Sequence, residues 1–202
     1  MVPAASSGAA CVNRKSCSGG GLLFESGGAK LPGHFPTDPN NHPPFTEMTI
    51  RHLFLSPDHN FVGHFGGLSG TNPIIEVESV SCVAGRGLEG DRYLSRPAGH
   101  KGQITFFAWE THEILCRQFG VLPDTKPVSV YRRNVITEGL DLNSLVGREF
   151  EIQGIPFFGT EECRPCVWME EAFGPGAFAS LAGRGGLRAK ILSDGILRRD
   201  LA

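Results

Sequence analysis

Residues 149–158 read EFEIQGIPFF, and this stretch decides the fold class. Phe150 and Ile152 alternate with polar neighbours, which is the period of two that a half-buried β-strand requires. Gly154 interrupts the alternation and predicts a bend in the strand. The same alternation, or a short apolar run, predicts further strands over residues 48–55, 74–83, 103–107, 134–137 and 187–192.

The composition agrees with a fold of short strands joined by many turns. Glycine and proline supply 27 and 14 of the 202 residues, a share that disfavours a helical bundle. Helices are predicted over 109–119 and 175–181, and Asp194-Gly195 is predicted to close a hairpin after the last strand. Residues 46–202 are therefore predicted to form one domain that is mostly β, barrel-like, with a few helices.

The amino-terminal segment and the charge balance exclude several classes of protein. Residues 1–45 are rich in glycine, proline and serine, and they are predicted to be a disordered tail that is dispensable for folding. They contain no continuous apolar signal segment, so a cytoplasmic location is expected, with an organellar transit peptide or an artificial start site as alternatives. A formal net charge of −2 and the lack of a long apolar run predict no nucleic-acid partner and no membrane partner.

Residues 161–166, EECRPC, carry the most informative chemistry in the chain. The spacing of Cys163 and Cys166 could form half of a zinc site, but no second C-x-x-C or H-x₃-H supplies the other ligands. A thioredoxin-like redox pair would need a helix start after a βα unit, which the β-rich context disfavours. Two small buried side chains at a turn are the structural alternative. Arg164 would favour a thiolate, the form that binds metals or attacks sulfur.

A glycine-rich turn and two histidines are weaker candidates. Residues 85–93, GRGLEGDRY, match neither of the glycine patterns that bind nucleotides. In that turn Asp91 and Arg92 could orient a polar ligand, or they could pair with each other as a structural feature. His59 and His64 could bind a metal, although histidines in such surroundings are more often ordinary loop residues.

Two arginine-containing segments could bind an anion. Residues 131–134, YRRN, place two guanidinium groups directly before a predicted strand, which suits a phosphate or a solvated surface pair. Residues 183–186, GRGG, could form an anion-binding loop beside Arg184 and Arg188.

Taken in chain order, these segments resemble the MOSC domain, the family named for the C-terminal domain of molybdenum cofactor sulfurases. The resemblance covers roughly residues 48–200 and is closest to the small, stand-alone bacterial-type members. It implies a MOSC-type β-barrel like the barrel of pyruvate kinase. The matching segments are 87–92, 132–139, 142–147, 163–166 and 185–189.

The resemblance also implies which residues act. Cys166 matches the family's reactive cysteine, which either binds the molybdenum of the pterin cofactor (molybdopterin) or carries sulfur as a persulfide. The implied cofactor-binding residues are Arg92, Lys101, Arg132, Asn134 and Arg184. Among these, Arg132 and Arg184 are the candidates for the phosphate of the pterin. Tyr93 is a departure, because many members have histidine there.

Two functions follow from the resemblance. The first is molybdenum-dependent reduction of a small N-hydroxylated base or amine, with electrons from a donor protein. The alternative is a sulfur carrier that receives a persulfide from a sulfur-donor desulfurase and passes it to a cofactor or metal–sulfur cluster. A thiol-bearing barrel without cofactor is a third reading. The reductase is favoured because forty-five residues cannot hold a sulfur-delivering, pyridoxal phosphate-dependent domain, and pyridoxal phosphate is associated only with the wider family.

Overall fold

The computed structural model describes residues 48–60, 70–94 and 96–200. The tail predicted over 1–45 lies outside the described residues. Within them the chain forms ten strands and three α-helices. The strands are β1 (Thr49–Leu55), β2 (Ile75–Glu76), β3 (Ser79–Val83), β4 (Gly87–Leu88), β5 (Ile104–Ala108), β6 (Val135–Glu138), β7 (Glu149–Ile152), β8 (Ile155–Glu162), β9 (Leu187–Ile191) and β10 (Gly195–Arg198). The helices are α1 (Trp109–Gln118), α2 (Trp168–Ala172) and α3 (Ala177–Ser180).

The strands form two sheets around a common core. Seven strands make a mixed sheet in the order β2-β1-β6-β5-β9-β8-β7, in which only β5 and β6 are parallel among the described pairs. The other sheet has the order β10-β3-β4. Phe106 and Phe157 of the large sheet lie in the same apolar cluster as Leu88 and Leu197 of the small one. The prediction of a mostly β fold with a few helices is confirmed.

Residues 149–158 form a hairpin, not the single bent strand that the sequence predicted. Gln153 and Gly154 both have positive φ, 51° and 78°, and they reverse the chain so that Ile152 lies opposite Ile155. Positive φ at both central residues is what a tight hairpin turn requires. Glutamine rarely adopts a positive φ, so the sequence predicts a bend at Gly154 and not a turn centred on Gln153 and Gly154.

Two further predictions about strands were wrong. The run over 74–83 divides at Val77 and Glu78 into β2, which pairs with β1, and β3, which pairs with β10 in the other sheet. Asp194-Gly195 does not fold a hairpin onto β9, because β10 begins there and pairs with β3. Strand partners of this kind are chosen by distant residues, which a local pattern does not reveal.

The helices pack on the large sheet through a second apolar cluster. The helix predicted over 109–119 is present as α1: Leu115 is buried in this cluster and Phe119 packs against it, while Ile114 is 42% exposed. Met169 of α2 and Leu181, directly after α3, belong to the same cluster as Phe107 of β5 and Ile136 of β6, which holds these short helices against the large sheet. No helix of the described ranges is long and apolar enough to cross a membrane.

Candidate active site

A cavity of about 550 Å³ opens beside Cys166. Its lining, as far as the chain is described, contains two cysteines, two histidines and six arginines, and it contains no aspartate or glutamate. The arginines are Arg92, Arg96, Arg132, Arg133, Arg164 and Arg188. A chain with a net charge of −2 therefore concentrates positive charge at one concave surface, which attracts anions.

Cys166 lies in the link between β8 and α2, and its side chain is exposed. Its carbonyl oxygen accepts a hydrogen bond from the backbone N–H of Met169 at 3.0 Å, which fixes the turn that leads into α2. Arg164, two residues earlier, is also exposed and lines the same cavity. The chain thus presents a thiol and a guanidinium together at the open side of the cavity.

Cys163 lines the same cavity but is buried, with 1% exposure. Burial raises the pKa of its thiol, and the charges of Arg133 and Arg188 oppose that rise. Its backbone N–H donates to the carbonyl oxygen of Gly186 at 2.7 Å. The two cysteines therefore differ in access, and a reagent from solvent meets Cys166 first.

Two glycines make this close packing possible. A side-chain carbon on Gly185 would overlap the carbonyl oxygen of Cys163. A side-chain carbon on Gly186, whose φ is +97°, would overlap the carbonyl oxygen of Phe106 in β5. Only glycine lets the two segments approach so closely.

Arg132 is held in a left-handed conformation, with φ 58° and ψ 41°, directly after the 3-10 turn Val128–Tyr131. Burial, and then the charge of Arg92, hold the pKa of its guanidinium below the ordinary value, while Cys166 acts in the opposite direction. No ion pair joins Arg132 to a carboxylate of the described residues. Its charge is therefore available to a ligand in the cavity.

Arg133, the next residue, has a structural role instead. Its Nε donates to the carbonyl oxygen of Gly185 at 3.0 Å, and its Nη1 donates to that of Tyr131 at 2.9 Å. These bonds tie the segment before β6 to the loop that covers Cys163. The two adjacent arginines of the YRRN segment thus do different work.

Three of the residues that the resemblance implied do not line this cavity. Asn134 is buried and bonds to neighbouring strands and to Asp91. Lys101 pairs through Nζ with Glu161 at 2.7 Å, and Glu161 in turn pairs with the cavity residue Arg188 at 2.7 Å. Arg184 lines a second cavity of about 330 Å³ instead. The structure thus brings together Cys166, Arg92 and Arg132 from the implied set.

The sequence analysis named Tyr93 and His59 but did not predict that they form an aromatic group in this cavity. Tyr93 has the guanidinium carbons of Arg92 and Arg96 at 4.6 and 5.6 Å from its ring centroid. His100 stacks on the same ring at 6.1 Å, and His59 meets it edge-on at 5.7 Å. Because these rings come from separate loops, no single segment of the sequence predicts that they lie together.

The metal role considered for the histidines has no support from a ligand cluster. Burial, and then Arg92 and Arg96, lower the pKa of His59. Within the described ranges, no group of three or more His, Cys, Asp or Glu side chains is placed to hold a metal ion. His64 lies outside the described residues.

Comparison with solved structures identifies the fold. No family model matches the chain, and no curated protein matches it in sequence. The YuaD protein from Bacillus subtilis is similar, with a TM-score of 0.56 and 17% identity over 75% of this chain and 91% of that one. YiiM from Escherichia coli is also similar, with a TM-score of 0.50 and 18% identity over 75% of this chain and 67% of that one. Both have MOSC-type folds. This chain has a MOSC-type fold.

A third similar structure is a hypothetical protein, with a TM-score of 0.52 and 18% identity over 62% of this chain. The chain covers 60% of the length of that protein. At identities this low, the TM-scores establish a common fold and nothing more. They confirm the MOSC-type fold class that was predicted from the sequence. A common fold does not determine the chemistry of the cavity, which depends on the residues that line it.

Proposed function

We propose that this MOSC-type protein binds the molybdenum pterin cofactor at Cys166 and reduces small N-hydroxylated bases or amines, with electrons from a donor protein. The observation that carries the proposal is an exposed thiol in a cavity whose described lining has six arginines and no carboxylate. Such a cavity favours a ligand that is anionic and that binds a soft sulfur atom.

The residues of the cavity fit the proposed cofactor. A thiolate is a soft ligand of the kind that suits molybdenum held by sulfur donors. The phosphate of the pterin needs charged donors, and Arg132 offers a half-buried guanidinium with Arg92 beside it. A volume of about 550 Å³ lies within the usual range for small-molecule and cofactor sites.

Each part of the cavity has a task in this reaction. When bound, the cofactor supplies a two-electron centre that accepts oxygen. One N-hydroxyl group, two electrons and two protons give one N–H group and one water. Cys166 holds the metal, and the aromatic side chains pack against a planar base. His100 lines the cavity, accepts the backbone N–H of Gly102 at Nδ1, and can supply a proton from Nε2.

Metal content of two serine variants tests the proposal. The full chain, purified from a host that makes the cofactor, should contain molybdenum and pterin. Cys166→Ser should lose the molybdenum, because a hydroxyl is a hard and poor substitute for a thiolate. Cys163→Ser is the matched control and should keep at least part of it, since Cys163 is buried. Full molybdenum content in Cys166→Ser, or none in the folded unchanged protein, would contradict the proposal.

The sulfur carrier is the second candidate, and the exposure of Cys166 favours it. A thiol at the open side of a cavity is accessible to a desulfurase that delivers sulfur. Incubation with a cysteine desulfurase and cysteine would then add the mass of one sulfur atom at Cys166, in protein that contains no molybdenum. Equal loss of function in both serine variants, with a reversible disulfide seen by mass, would indicate a dithiol site instead.

A further inference from the structure

The lining of the cavity around Cys166 divides by exposure. Four of the described lining residues are exposed, and we call them the rim: Arg96, Arg164, Cys166 and Phe178. The other described lining residues are half-buried or buried. A molecule that approaches the thiol from solvent therefore meets the rim before it meets the interior.

The interior arginines already have partners or an assigned task. Arg133 is tied to backbone carbonyl oxygens, and Arg188 is paired with Glu161. Arg92 lies 3.8 Å from the carboxylate of Asp91, measured from Nη1 to Oδ2. The proposed function uses Arg132 for the phosphate of the cofactor. Each interior arginine therefore interacts with the protein or with the proposed cofactor, and none is needed to bind a substrate.

The rim carries two positive charges, those of Arg96 and Arg164, that have no task in the proposed function. No ion pair links either Arg96 or Arg164 to a carboxylate in the described part of the chain. Pro165 disfavours a helical backbone at Arg164, and the segment from Arg164 to Cys166 belongs to no strand or helix. Arg164 and Cys166 both line the cavity. A substrate that reacts at Cys166 therefore enters a cavity that the exposed Arg164 also lines.

The rim and its neighbours also offer flat apolar surface. Phe178 is 42% exposed and lines the cavity. The indole of Trp168, two residues after Cys166, is fixed by a hydrogen bond from Nε1 to the carbonyl oxygen of Val130 at 2.9 Å. A fixed indole and an exposed phenyl ring favour the binding of a planar group beside the thiol.

We propose that the substrate of this site is a planar anion, an N-hydroxylated compound that also carries a carboxylate, phosphate or sulfonate, and that Arg164 selects it. This inference rests on the proposed function. A guanidinium binds such groups through paired hydrogen bonds. Cationic bases are discriminated against, because they meet two like charges at the rim.

The first test uses the full chain without cofactor and two reagents of matched size. Iodoacetate is an anion and iodoacetamide is neutral, and both attack the thiolate, so the ratio of their rates cancels any change in thiolate fraction. The rates at Cys166 are measured by peptide mass spectrometry. The ratio of iodoacetate to iodoacetamide should fall about fivefold in Arg164→Gln, as expected for one nearby charge in a polar setting.

Arg148→Gln is the matched control, because Arg148 is exposed and does not line the cavity. It should keep the ratio of the unchanged protein. High salt should lower that ratio in the unchanged protein and lower it less in Arg164→Gln, because exposed charges are screened and the variant has one fewer of them. Equal ratios in Arg164→Gln and the unchanged protein would overturn the inference.

The second test uses the cofactor-loaded protein with benzamidoxime and its 4-carboxylate. The inference expects kcat/KM about tenfold higher for the carboxylate, as a close charge pair provides, and loss of that preference in Arg164→Gln. Equal turnover of both compounds would overturn the inference and leave the proposed function in place. No turnover of either compound, with molybdenum present, would overturn the proposed reduction, and the alkylation ratio would then decide whether the rim selects anions.

Discussion

The side-chain amide of Asn134 donates from Nδ2 to the carboxylate of Asp91, at 3.1 Å, and both residues are buried. The same carboxylate oxygen accepts the backbone N–H of Ser56 at 3.0 Å. Asn134 also accepts the backbone N–H of Thr105 at 3.1 Å. One amide thus joins the glycine-rich turn to β5 and β6, and it holds Arg92, the neighbour of Asp91, at the cavity.

Asn134→Ala should therefore destabilise the protein and shift Arg92. The variant removes one of the hydrogen bonds to the buried Asp91 carboxylate and the one that the backbone N–H of Thr105 donates, and a polar group left without a partner typically costs about 1–3 kcal/mol. Urea unfolding followed by circular dichroism measures the loss. Asn143→Ala is the matched control, since Asn143 is exposed and should cost less. Equal losses in the two variants would show that the buried amide has no special structural role.

The left-handed conformation of Arg132 predicts opposite effects on stability and on ligand binding. Glycine adopts this conformation without strain, so Arg132→Gly should raise the free energy of unfolding, by about 1 kcal/mol. The same change removes the proposed phosphate donor and should empty the site of cofactor. Arg132→Lys keeps the strained backbone and should retain only part of the binding, because an ammonium lacks the paired donors of a guanidinium.

Both quantities can be measured on the same preparations, by denaturant unfolding and by cofactor content. Full cofactor content in Arg132→Gly would remove Arg132 from the site. A loss of stability in Arg132→Gly would show that the guanidinium itself stabilises the fold.

A buried histidine predicts how stability depends on pH. His112 is 0% exposed, with Nε2 at 3.0 Å from the carbonyl oxygen of Pro123 and Nδ1 at 3.0 Å from the hydroxyl of Tyr131. A carbonyl oxygen only accepts, so Nε2 carries the hydrogen and Nδ1 accepts from the tyrosine. Burial lowers the pKa of His112 below its ordinary value of 6.5.

The unfolded chain therefore binds a proton below about pH 6.5 that the folded protein resists. The free energy of unfolding should fall as the pH drops below this value, by up to about 1.4 kcal/mol for each pH unit until the folded protein also binds the proton. His112→Gln should flatten the decline between pH 7.5 and 5.5. His59 has a lowered pKa as well, so part of the slope should persist. An unchanged slope in His112→Gln would contradict the assignment.

Local patterns predicted most of the strands but not their partners. Four predicted stretches agree with β1, β5, β6 and β9 to within two residues at each end, because each of these strands contains a short run of buried apolar residues. The pairing of β10 with β3 and the helix α2 were not predicted. Partners are set by contacts between residues far apart in the chain, and α2 is too short for a helical period to be visible.

The site was predicted in part, for a related reason. The resemblance pointed to Cys166, Arg92 and Arg132, and the fold brings all three to one cavity. The net charge of the chain does not predict a positively charged cavity, because acidic residues elsewhere in the chain balance its arginines. Trp168, which also lines it, carries no local signal, since it stands in no recognisable motif.

The pair Gly185-Gly186 limits how this protein can be diversified. Gly185 lines the cavity around Cys166, and Gly186 lines the second cavity. Neither position has room for a side chain. A library that aims at new ligands should hold both glycines fixed and vary the rim instead, where Arg164 and Phe178 are exposed. The entrance of the cavity can therefore be varied, whereas Gly185 and Gly186 have to be kept because the backbone around them leaves no space for a side chain.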